Sequence, residues 1–134
     1  MHSRTFYLFL ILCAAIAGPM LAQEGHPLVG SWHGDFGPNA KDRTDITLVV
    51  DWDGKAVSGI MNPGFEQMAL QNAKLDPKGW LVHFEVDRKE ATGVVRCIAD
   101  GKIDKLGSDR RTIAGTFNCG TRKGDFKITR DRDY

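Results

Sequence analysis

From Ser31 to Arg130 apolar and polar residues alternate, and glycine-bearing turns interrupt the alternation at short intervals. A period of two marks strands with one buried face, whereas an amphipathic helix repeats every three to four residues. The pattern predicts eight strands, over about 31–36, 44–52, 55–61, 68–75, 80–87, 93–103, 111–119 and 124–130. No run has the length and spacing of a packed helix.

The turns set the expected pairing. Asp53-Gly54 between two alternating runs is a strong hairpin signal, because a two-residue turn needs positive φ at both positions. Such a turn pairs Trp52 with Lys55, Val50 with Val57, Leu48 with Gly59 and Ile46 with Met61. A second turn is expected at Asp76-Pro77-Lys78-Gly79, where proline pre-sets φ and glycine closes the bend. It places Leu75, Ala73 and Gln71 on the face shared by Trp80, Val82, Phe84 and Val86. In the third hairpin, Ile103 set against Ile113 also sets Gly101 against Gly115, Ala99 against Phe117 and Cys97 against Cys119. Opposed residues of an antiparallel pair come close enough for a disulfide at a non-hydrogen-bonded position. Apolar pattern and cysteine placement therefore agree on one register.

The first residues read differently. Arg4 precedes the apolar run Phe6 to Ala17, which is followed by Gly18-Pro19 and small Ala22. That is the layout of a secretory signal peptide over residues 1–22, with Ala17 an alternative cleavage point. Crossing a bilayer takes roughly 20 apolar residues, and this run stops short at Pro19. A lipid anchor on Cys13 would want a small residue where Ile11 and Leu12 stand. Cleavage leaves a flexible arm over 23–29 and one domain over 30–134, since ~110 residues bury a single core. It also leaves Cys97 and Cys119 as an even pair. In an oxidising compartment such a pair reads as a disulfide, with two buried thiols as the alternative.

Charge removes some functions. Without Arg4, basic and acidic residues are equal in number. A neutral chain has no electrostatic footprint for nucleic acid, and the basic tail Lys123 to Arg132 is interleaved with aspartates. Nothing after the leader suggests a membrane span.

Sequential hairpins of this number usually close on themselves, which removes exposed edges. The expected fold is an all-β, eight-stranded, antiparallel up-and-down barrel; two packed four-stranded sheets are the alternative. Gly30-Ser31-Trp32 at the start of the first strand, with Arg130 late in the last, resembles the calycin pattern of lipocalins and related small secreted barrels. The resemblance implies that Trp32 plugs one barrel end, with Arg130 (or Arg132) packed on its ring. Avidins share the Gly-x-Trp opening, but the tryptophan-rich later strands of a biotin site are missing. Small bacterial protease inhibitors of the serralysin-inhibitor type are similar in size, barrel form and opening.

Three groups of residues are candidate sites. The first is the interior face: Leu48, Val50, Val57, Met61, Val82, Phe84, Ala99, Ile113, Phe117, Phe126 and Ile128. On that face Gly59, Gly101 and Gly115 place no side chain. Missing side chains open a pocket for an apolar ligand, unless they only let strands coil while aromatics fill the gap. The second group is polar: His33 with Asp35, and His83 with Glu85, each pair two apart on one strand face. Such pairs suit metal binding or acid–base work, and equally a solvated outer face. The third is the rim formed by loops 37–43, 61–68 and 87–92, where Phe65 and Met68 form a contact patch, a lid or a seal.

Ser31, Ser58 and Ser108 lie in no nucleophile context, and no glycine motif cradles phosphate or calls for a cofactor. The expectation is a secreted or periplasmic binding protein, not an enzyme, holding a small apolar ligand in its interior or mouth. The alternative is a protein-interaction module, such as an inhibitor of an exported hydrolase, working through the arm or the rim. A cavity of about 300 Å³ or more favours the ligand binder.

Overall fold

The computed structural model describes residues 26–131. The expected leader over 1–22, the first part of the arm and Arg132 lie outside the described residues. Nine antiparallel strands make one nearly closed, barrel-shaped sheet: β1 Gly30–Gly37, β2 Thr44–Trp52, β3 Val57–Met61, β4 Met68–Ala69, β5 Gln71–Asp76, β6 Leu81–Glu90, β7 Gly93–Asp104, β8 Thr112–Cys119 and β9 Arg122–Arg130. The strand order is β4-β3-β2-β1-β9-β8-β7-β6-β5. The first strand thus pairs with the last, from Trp32 against Arg130 to Gly37 against Asp125. The up-and-down barrel expected from the alternation is the fold observed, and its fourth strand is split in two.

The split lies at Leu70. β4 pairs with β3 (Ile60 against Ala69), and β5 pairs with β6 (Leu75 against Val82). Leu70 bridges them by donating its N–H to the Gly59 carbonyl at 2.9 Å. Asn72 has φ 50°, and the β5–β6 register shifts between Gln71 and Lys74. An irregularity of this kind bends the strand and increases its twist. One chain segment can therefore serve both edges of the seam. It also corrects the expected face of Gln71, which pairs with Glu85 and is exposed, while Leu75 and Ala73 pack against the core.

The third hairpin has the expected register at every pair, from Cys97 against Cys119 to Ile103 against Ile113. The first is displaced by two residues: Leu48 faces Met61, Val50 faces Gly59 and Trp52 faces Val57. The turn takes four residues instead of two. The Asp53 carboxylate accepts the N–H groups of Lys55 (2.8 Å) and Ala56 (2.7 Å), and only Gly54 takes positive φ. An aspartate that closes its own turn competes with the tight hairpin. A shift of two keeps every side chain on its face. In the second hairpin Trp80 belongs to the turn, with φ 56°, and its ring is not part of the buried face. The expected long connection over 87–92 is a two-residue turn, because β6 and β7 stay paired out to Glu90 and Gly93.

The core lies along the barrel axis. Trp32, Ile103, Ile113 and Ile128 are completely buried near one end, joined by Leu48, Val50 and Val82. The part of the arm that is described, residues 26–29, is tied down instead of loose. Leu28 is buried, Arg111 donates to the Pro27 carbonyl (3.0 Å), and His26 stacks on Trp52 with ring centroids 4.5 Å apart.

Candidate functional site

The two barrel ends differ. At the end holding Trp32 the indole N–H donates to the Leu28 carbonyl at 2.9 Å, so the buried ring has its one donor satisfied. Arg130, opposite Trp32 in the sheet, donates from Nε to the Val29 carbonyl at 2.8 Å, beside Gly30. A Cβ on Gly30 would lie 2.6 Å from that Nε. The glycine in the Gly-Ser-Trp opening therefore makes room for the arginine. Behind this closed end a void of about 10 Å³ lies among Leu28, Leu48, Val50, Val57, Leu70 and Val82, room for about one water molecule.

The other end opens into a cavity of about 780 Å³. Its floor is apolar: Ile46, Met61, Phe84, Ala99, Phe117 and Phe126. Phe84 meets Phe126 edge-on at 5.7 Å between centroids, and Phe36 meets Phe117 likewise at 5.1 Å. Cys97 and Cys119, at disulfide distance with Cα atoms 4.2 Å apart, form part of the wall. The rim carries Asn62, Phe65, Glu66, Gln67, Arg88 and Lys89. Phe65 is fully exposed at the crest of the loop, not folded in as a seal.

The residues expected on the interior face divide by depth. Leu48, Val50, Val57, Val82 and Ile113 line the closed half, Met61, Ala99, Phe117 and Phe126 line the mouth, Phe84 reaches both, and Ile128 is fully buried. The glycines open no space. A Cβ on Gly101 would stand 3.0 Å from the Phe126 ring and 2.7 Å from the Ala114 carbonyl oxygen. On Gly59 it would meet the Val49 oxygen at 2.5 Å and Leu70 at 2.9 Å, and on Gly115 the Asp100 oxygen at 2.0 Å. These glycines let neighbouring strands and side chains approach closely, the second of the two readings open to them, and they do not hollow the barrel.

Two loops of the rim are braced. Arg43 donates to the Asp35 carboxylate at 2.7 Å and also grips Asp125, tying the β1–β2 connection to β9. Asn39 accepts the N–H groups of Lys41 and Asp42, each at 2.9 Å. On the next loop Asn62 exchanges hydrogen bonds with the Thr47 backbone at 2.8 and 3.1 Å. Arg43, Asp125 and Asn62 were invisible to the period-two reading, since cross-strand partners require the register.

The two expected histidine pairs separate. His33 bonds Asp131 at 2.7 Å instead of Asp35, which Arg43 holds. His83 does join Glu85, at 2.8 Å, and its second nitrogen reaches Asp100 at 2.6 Å. Glu85 also accepts from Asn72 and Arg96, both at 3.1 Å, and Arg96 in turn binds Asp87. Hydrogen bonds from His83, Asn72 and Arg96 hold the Glu85 carboxyl down at a pKa of about 2. The same contacts, to Glu85 first and Asp100 second, raise His83 above its ordinary 6.5. This is an ion-pair network on the outer face of β6 and β7, with the histidine saturated on both nitrogens. No group of three or more metal-ligating side chains occurs among the described residues.

The site is therefore a braced, one-ended apolar bowl with a polar lip. No protein family, no curated protein and no solved structure matches the chain.

Proposed function

We propose that the chain is an exported, lipocalin-like barrel that binds a small apolar molecule in its open mouth and performs no chemistry on it. The observation that carries this reading is the 780 Å³ cavity over an aromatic and aliphatic floor. Ligand pockets commonly measure about 300–1,000 Å³, are mostly apolar and carry a few polar groups at fixed places. The closed half is too tightly filled to compete. Braced loops at the lip favour a preformed site, which lowers the ordering cost of binding. The lipocalin-like part of the reading draws on the meander barrel and on Trp32 standing opposite Arg130. Export draws on the leader pattern and on the cysteine pair, since disulfides persist in the periplasm and outside cells.

Binding of the neutral dye N-phenyl-1-naphthylamine to the purified protein tests the proposal. Its fluorescence should rise saturably with one dye per chain. Substituting Ala99→Trp, which fills the floor, should abolish the rise while leaving the thermal transition in place. Flat fluorescence with the native protein refutes the reading.

A further inference from the structure

Along β6 the side chains of Val82, Phe84 and Val86 are buried, while His83, Glu85 and Asp87 build the outer ion-pair network. A strand alternates faces, so the next residue on the inward side is Arg88. Its cross-strand neighbour, Val95, packs against the core, and Arg88 itself is half-buried on the cavity wall. Four of the other described arginines have work. Arg43 and Arg96 hold carboxylates, and Arg111 and Arg130 hold backbone carbonyls. Among the described residues the Arg88 side chain has no hydrogen bond or ion pair. Arg110 and Arg122 share that condition but are exposed, where water solvates them. Among the described arginines, Arg88 alone combines partial burial, a place on the cavity wall and a guanidinium without a partner.

Resting on the reading of the mouth as a ligand site, we propose that its occupant is a single-chain amphiphile with a carboxylate head, and that Arg88 receives that head. A guanidinium presents a planar fork of donors that matches a carboxylate with two parallel bonds. Lys89 adds a second positive charge at the lip. Of the acidic residues there, Asp87 is already neutralised by Arg96, which leaves Glu66 on the loop opposite. The apolar floor takes the chain, while the head stays at the rim with the arginine.

Competition of dodecanoate and dodecanol against N-phenyl-1-naphthylamine, at about pH 8 with the full-length protein, tests this. Dodecanoate should displace the dye at a concentration at least about tenfold lower than the alcohol. Arg88→Met should remove that preference and leave dodecanol unchanged; Arg88→Lys should keep part of it. Equal displacement by acid and alcohol overturns the carboxylate head and leaves the apolar site standing. A preference that survives in Arg88→Met overturns the role of Arg88. Failure of both compounds and of the dye overturns the ligand site itself, and the inference with it.

Discussion

Gly115 has no room for even one methyl group. A Cβ there would fall 2.0 Å from the Asp100 oxygen and 2.4 Å from Cα of Gly101, both on the adjoining strand. Backbone cannot yield as a flexible side chain can, so Gly115→Ala should cost about 1–3 kcal/mol, read as a lower urea midpoint. Gly107, with open space around its Cβ position and no unusual φ, is the control. Gly107→Ala should change stability by less than about 0.5 kcal/mol. An identical cost at both positions would mean that strand crowding is not what the glycine serves. The sequence marks Gly115 as inward and opposed to Gly101, which is correct. It does not tell whether an inward glycine faces a void or a neighbour. That depends on how sharply the strands coil, a property of the closed sheet.

At the scale of strands and hairpins, legibility follows the number of independent constraints. The β7–β8 hairpin satisfies both an apolar pattern and a cysteine pair, and one register meets both. The β2–β3 hairpin rests on Asp53-Gly54 alone, and the capping carboxylate moved its turn by two residues. Asn72 and Trp80 adopt left-handed φ without a glycine to announce it, so the bulge in β5 and the true start of β6 could not be read. The outer network between β6 and β7 was half visible: His83 and Glu85 share a face by spacing, but Asp100 and Arg96 reach them only across the ladder. Its pH behaviour is specific. His83 is raised above 6.5, so its contribution is complete below that value and fades as pH climbs through the folded-state pKa. Glu85 is lowered from 4.5 to about 2, so its contribution is complete above 4.5 and fades as acid approaches 2. The two windows overlap between 4.5 and 6.5, where the network is strongest. Proton NMR titration should place the His83 midpoint above 6.5, and Asp100→Asn should bring it down. A midpoint at or below that of a free histidine would dismantle the network.

For the molecule as a whole, the barrel and the inward set of side chains were legible, whereas position along the axis was not. Alternation says that Val50 and Phe117 both point inward. Only the assembled sheet says that Val50 plugs the closed half and Phe117 lines the mouth. The Cys97–Cys119 link ties two strands of that mouth across 22 residues of chain. On the chain-entropy account it stabilises by about 3 kcal/mol, so reduction should lower the unfolding free energy by about that amount, measurable by urea titration with and without dithiothreitol. An unchanged midpoint would mean the thiols are not bonded. The pairing of β1 with β9 carries a further implication for how the chain is made. Residues 30–37 find one of their two ladder partners only in residues 122–130. While that stretch is still emerging from the ribosome, Trp32 has an incomplete shelter and two bare strand edges stay available to other chains. The barrel consequently closes only once β9 has emerged, and until then the facing edges of β1 and β8 need cover from elsewhere.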